Sequence, residues 1–96
     1  MPGLTIREKD SSMSHKMSEF ITDSIIIAKV KNAGVMSKMA EAINEKLEEN
    51  FGGSWTVIVM KSDHGGWVIN GIPSTKGTYI EVDHGAHCYV IFKNQK

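Results

Sequence analysis

The stretch Ser54–Met60, Ser-Trp-Thr-Val-Ile-Val-Met, constrains the fold more than any other part of this chain. It is short, apolar, rich in β-branched residues and free of Gly and Pro, the pattern of a strand buried on at least one face. Before it lie two segments with helical spacing, and after it lie Gly-punctuated segments with strand character. Helices first and a sheet second make an α+β domain, with this strand as the joint between the two layers. What such a chain can do turns on whether the sheet leaves an edge open.

At 96 residues the chain has the length of one domain. A domain of this size buries roughly 60–65% of the surface its unfolded chain exposes, so pairing with a second copy would add stability. Eleven basic and eleven acidic side chains leave a formal net charge of zero. That removes any whole-chain electrostatic case for nucleic acid or an anionic membrane. Cys88 is the only cysteine, so no intrachain disulfide can form, which fits a reducing compartment. No apolar run approaches the ~20 residues of a membrane span, and the first residues lack the apolar core of a secretory signal. The expected location is the cytoplasm.

Residues 1–12 are expected to form a flexible N-terminal segment, and residues 13–96 the domain proper. Within the first, Leu4-Thr5-Ile6-Arg7 alternates apolar and polar residues, as a short edge strand or a helix would, and Glu8 to Ser12 reads as linker. Ser14 is a good N-cap, and Met17, Phe20, Ile21, Ser24, Ile25 and Ala28 follow helical spacing. Ile26, Ile27 and Val30 widen the apolar surface to most of the circumference. Either part of this segment meets a partner chain, or Ile25-Ile26-Ile27 is a strand; the regular spacing from Met17 to Ala28 favours the helix. Asn32-Ala33-Gly34 is its stop signal.

The second helix is expected to start at Ser37 as N-cap. Met36, Met39, Ala40, Ile43, Leu47 and Phe51 make its apolar stripe, and Gly52-Gly53 end it. Beyond the Trp55 strand, Lys61-Ser62-Asp63 is a predicted turn. Gly65-Gly66-Trp67-Val68-Ile69 is a predicted strand with a glycine start. Asn70-Gly71 is a turn dipeptide, and Gly71 to Gly77, with Pro73, is a loop. Thr78 to Val82 and Cys88 to Phe92 are the last two predicted strands, joined by a turn at Asp83-His84-Gly85.

His84, His87 and Cys88 cluster at that last turn. A structural zinc site needs four ligands at recognisable spacing, and a hairpin would aim these three in different directions. A polar turn followed by a buried thiol explains them without a metal, and no metal or cofactor is expected. Cys88 with a histidine lacks an orienting carboxylate and an oxyanion loop, so no nucleophile–base pair is assigned. Gly65-Gly66 precedes no helix and does not fit a phosphate loop. The feature these explanations leave over is the Gly65–Ile69 strand, bounded by loops on both sides. An edge strand of this kind can pair through its main chain with a second subunit or an extended peptide.

Phe51-Gly52-Gly53-Ser54-Trp55-Thr56-Val57-Ile58-Val59 resembles the helix-to-strand junction of the small cytoplasmic dynein light chains. Met13-Ser14 with Met17 resembles that family's first-helix opening. Gly65, Trp67 and Val68 match its exposed strand, and Tyr79-Ile80 with the ending Gly85 to Lys93 match its last two strands. The resemblance runs over roughly residues 13 to 93 and marks a divergent member. It implies two helices packed on an antiparallel four- to five-stranded sheet, and a homodimer in which each copy lends a strand to the other. It also implies extended peptide segments added as strands in grooves beside the partner's second helix, and no enzymatic activity. Implied partners are the dynein intermediate or heavy chain complex and disordered partner proteins. The implied location is cytoplasmic and cytoskeletal, in a microtubule-associated or axonemal motor.

By position, the implied peptide-binding residues are Gly65, Gly66, Trp67, Val68, Ile69 and Tyr79. The implied dimer-interface residues are Trp55, Val57 and Val59, on a strand central to the paired sheets. The chain also departs from the family. Where peptide-binding members open the second helix with Glu-Lys, which engages a ligand glutamine, Met36-Ser37 stands here. Ile69-Asn70 replaces Thr-His, His64 replaces a Phe, and Thr56 replaces a histidine tied to acid-induced dissociation. The groove is therefore expected either to take a different ligand sequence or to be unused, the latter making the chain a structural axonemal or motor-complex subunit.

Overall fold

Ser14 begins the first helix as its chemistry predicts. The computed structural model describes residues 4–61 and 76–94, and in it the Ser14 backbone is extended while its Oγ accepts the Met17 N–H at 3.1 Å. Helix α1 (His15–Lys31) follows. Replacing this cap, Ser14→Ala, is expected to cost about 1 kcal/mol. Urea denaturation should show it as a lower midpoint with an unchanged slope.

The Ile25-Ile26-Ile27 run is helical, and it settles how an almost all-apolar helix sits in a small domain. Ile21 and Ile25 are fully buried, whereas Ile26, Ile27 and Val30 are 39%, 41% and 79% exposed. Only one stripe packs. The chain leaves α1 at Asn32, whose N–H caps the Ala28 carbonyl, and turns through left-handed Ala33 (φ 51°) and Gly34 (φ 75°).

Helix α2 (Met36–Phe51) then begins two residues earlier than a Ser37 cap allows. The N-cap is Val35, with no side-chain acceptor, and Ser37 lies inside the first turn. The reason is the turn itself. Val35 N–H closes it onto the Asn32 carbonyl at 3.0 Å, which leaves the Val35 carbonyl in place to receive the Met39 N–H at 2.9 Å. Tertiary geometry overrides cap preference here.

Gly52 (φ 71°) ends α2 and redirects the chain into strand β2 (Trp55–Lys61). The junction is tied twice: Trp55 Nε1 donates to the Gly52 carbonyl and Asn44 Nδ2 donates to the Trp55 carbonyl, both at 3.0 Å. Strand β1 (Leu4–Lys9), β3 (Ile80–His84) and β4 (His87–Lys93) complete a four-stranded antiparallel sheet of order β1-β3-β4-β2.

Four boundaries differ from the sequence reading. Strand β1 runs on through Glu8 and Lys9, which read as linker. Lys61, read as the start of a turn, closes β2 opposite His87. Strand β3 starts two residues later than Thr78 and takes in Asp83 and His84, which read as a turn. The β3–β4 turn is Gly85-Ala86, and His84 pairs with His87 across it. A two-residue hairpin turn with glycine first needs positive φ there, and Gly85 has φ 62°. Asp83 and His84 are thus freed to join the ladder.

Both helices cover one face of the sheet. Ile21, Ile25 and Ala28 of α1 and Met39, Ile43 and Leu47 of α2 form one cluster with Trp55, Ile80, Val82, Tyr89 and Ile91. Phe20 and Phe51 extend it next to Trp55, with Phe20 edge-on to Phe51 at 5.1 Å. Tyr89 is fully buried at its centre, and its hydroxyl donates to Met39 Sδ at 3.6 Å.

Candidate functional site

Side chains alternate along a strand, so a sheet with helices on one face ordinarily exposes every second residue. Strand β4 does not follow this. Tyr89 and Ile91 point to the helices, yet Cys88, Val90 and Phe92 on the other face are also buried, Val90 to 1% exposure. The register sets Ile58 beside Val90, Met60 beside Cys88 and Thr56 beside Phe92. The outward face therefore has an apolar centre built from β2 and β4.

Its margin is polar and comes from β1 and β3. Arg7 Nε pairs with Asp83 Oδ2 at 3.4 Å. Tyr79 stacks on Phe92 with ring centroids 6.1 Å apart, and its hydroxyl donates to Glu81. Burial, then the Glu81 carboxylate, raise the Tyr79 pKa above the phenol's usual value, so this hydroxyl stays a donor. Asp10 holds Tyr79 in place. Its main-chain N–H donates to the Tyr79 carbonyl at 2.9 Å, while its carboxylate accepts N–H groups from Ser12 at 2.9 Å and Gly77 at 2.7 Å. Those backbone donors hold the Asp10 carboxyl below its ordinary pKa. The signal for this clamp was present in the sequence, because Asp-Ser-Ser is a side-chain-to-backbone turn pattern.

The two outer strands of the described sheet differ in kind. Strand β1 carries Arg7-Glu8-Lys9 and a register shift between Ile6 and Glu8. Charge and a bulge are how proteins stop an edge from recruiting another strand. Strand β2 has neither: it is regular along its whole pairing with β4, and between Trp55 and Lys61 it carries no charge.

Of the residues singled out in the sequence, Gly65, Gly66, Trp67, Val68 and Ile69 lie outside the described residues, as do the Asn70-Gly71 turn and most of the Gly71–Gly77 loop. Tyr79 lies on the outward face, next to β4. Trp55, Val57 and Val59 turn towards the helices: Trp55 is in the core and both valines pack against it. Contact with another chain through β2 would use their main chain, with Thr56, Ile58 and Met60 as the outward side chains. Among the described residues β2 is outermost, and it becomes central only when a further strand is added beside it. The first turn of α2 holds no acidic residue and no side-chain cap.

His84, His87 and Cys88 are split by strand alternation. The two histidines face the helices and Cys88 faces away. No three potential ligands come together among the described residues. Burial, then the adjacent Asp83 carboxylate, push the Cys88 thiol up, which makes it a poor nucleophile.

No protein-family model matches the chain and no curated protein matches it in sequence. Solved structures match it in fold. The dynein light chain-like domain of the Fasciola hepatica calcium binding protein FhCaBP2 superimposes with a TM-score of 0.78 at 14% identity, covering 97% of this chain and 92% of that one. Its mercury derivative gives a TM-score of 0.77. The DLC-like domain of CsTAL3 gives 0.75 at 15% identity, covering 97% and 94%. The chain has the dynein light chain-like fold.

Proposed function

We propose that this chain is a non-catalytic dynein light chain-like subunit that pairs with a second copy and binds extended peptide segments by adding them to a sheet edge. One observation carries this: among the described strands, one outermost strand is blocked with charge and a bulge, and the other, β2, is regular and uncharged between Trp55 and Lys61. Strand addition takes place on edges of the second kind. The partly exposed outward side chains of β2, Thr56, Ile58 and Met60, support a second copy as the partner, since a self-complementary patch closes into a two-fold dimer.

Two weak peptide sites on one rigid dimer gain effective concentration when the ligand chains are themselves paired. A single short segment should bind with micromolar or weaker affinity, at most ~8 kcal/mol. Gly65 to Ile69 and Tyr79 are the proposed groove residues. The proposed partners are the dynein intermediate or heavy chain complex and disordered segments, in a cytoplasmic, microtubule-associated setting. Calorimetric titration with intermediate-chain peptides, repeated with Trp67→Ala, tests the proposal. Weakening by about tenfold or more is expected, and unchanged binding would move the ligand elsewhere.

A second role, as a structural axonemal or motor-complex subunit with an altered groove, is favoured by one finding. Helix α2 opens on Val35-Met36-Ser37 without the acidic residue that peptide-binding members place there. The structural neighbours do not add to it, because one such domain belongs to a calcium binding protein and so is not confined to motor subunits. Retrieval of many unrelated disordered partners from a lysate would count against this second role.

A further inference from the structure

His84 and His87 face each other across the β3–β4 hairpin, on the side of the sheet that the helices cover. His84 is 5% exposed and His87 half-buried. The Nδ1 atom of each is buried and has no hydrogen-bond partner among the described residues. A buried polar atom without a partner is costly and rare, and here two occur side by side.

Their surroundings are cationic. Lys29, near the C-terminal end of α1, donates through Nζ to the His84 carbonyl at 3.3 Å. Lys61 ends β2 opposite His87. From β1 the facing residue is Leu4, paired with His84. From the α1–α2 turn it is Gly34, where a methyl group would lie 3.9 Å from His87 Cε1. Within β4 it is the Tyr89 ring, 6.4 Å from that of His87. Asp83, next to His84 in sequence, projects to the opposite face, where Arg7 engages it. Among the described residues, the charged groups reaching the pair are thus two lysines.

We propose that the His84–His87 pair is an acid-sensitive latch, which in its neutral form lets the end of α1 and the α1–α2 turn close over the β3–β4 hairpin and on protonation releases them. Protonating either ring puts a cation into a partly desolvated place already facing Lys29 and Lys61, and among the described residues no carboxylate on that face compensates. Burial, followed by Lys29, lowers both imidazoles below the ordinary value of 6.5. The sign follows from linkage. The unfolded chain binds protons more readily than the folded one, so the stabilisation is complete above about pH 6.5 and is lost as the pH falls towards the folded-state values. The latch belongs to the fold and does not depend on peptide binding. If the chain also binds peptides as proposed above, acid would act on that site through the first turn of α2.

Thermal melts of the whole chain at about pH 7.5 and pH 5.5, for the unaltered protein and for His84→Gln/His87→Gln, test it. The unaltered protein should lose at least about 4 °C more than the double variant over that interval. Equal losses would overturn the proposal. If the double variant does not fold, imidazole titration of the unaltered protein by NMR decides instead. Midpoints for His84 and His87 below 6.5 support the latch, and midpoints at or above it overturn it. Neither readout requires a peptide, so failure of the latch and failure of the peptide-binding role are separable.

Discussion

Replacing Tyr89 by alanine is expected to destabilise the domain by about 3–5 kcal/mol, the range for removing a large buried aromatic. A chain of this length has roughly 5–14 kcal/mol in total, so about a fifth of its stability or more would go. Tyr89 has no exposed surface and sits on the central strand β4 between Val59 of β2 and Val82 of β3. Helix α2 closes over it at Met39. The space it fills is therefore walled by three elements, and none can collapse inward without breaking its own ladder or helix packing. The comparison variant Tyr89→Phe removes only the weak contact to Met39 Sδ and should cost less than about 1 kcal/mol. Urea denaturation of both variants measures the difference. A loss below about 1 kcal/mol for Tyr89→Ala would mean that the core is organised around some other side chain.

Ile58→Lys should convert the proposed dimer into a folded monomer. Ile58 lies on the outward face of β2, half-buried within the single chain and paired with Val90. A lysine there can extend its ammonium into water when the chain is alone. In a two-fold dimer that closes over this face, two such ammonium groups would be desolvated near each other. The expected result is a dimer dissociation constant raised about a hundredfold or more, roughly 3 kcal/mol. Sedimentation velocity would show the monomer, and circular dichroism would show unchanged helix content. A variant that stays dimeric would place the interface on another surface, and a monomeric unaltered protein would remove the dimer altogether.

Much of the architecture can be read along the chain because it rests on local chemistry. Ser14 caps α1 through its own hydroxyl, Gly52 supplies the positive φ that ends α2, and the apolar stripe Met39-Ile43-Leu47 is buried as its spacing predicts. The Trp55 strand and its place after two helices follow from composition over seven residues. The readings that failed depended on pairing between distant segments. Whether His84 is a turn or a strand residue is decided by its register against His87 and Leu4, which no local pattern encodes. Val35 rather than Ser37 caps α2 because the α1–α2 turn fixes where the helix can begin.

The candidate site divides in the same way. Apolar residues on both faces of β2 and β4 are visible in the sequence as uninterrupted runs, and so is the charge on Arg7-Glu8-Lys9. From these the sequence alone determined an α+β chain with one strand fit for the interior of a larger sheet. Only the tertiary structure decided which of the described strands ends up outermost, which face of β4 meets the helices, and that Cys88 and the two histidines lie on opposite sides. The physical reason is that side-chain chemistry is a property of each residue, whereas an edge, a face and a neighbour exist only once strands from far apart in the chain have paired.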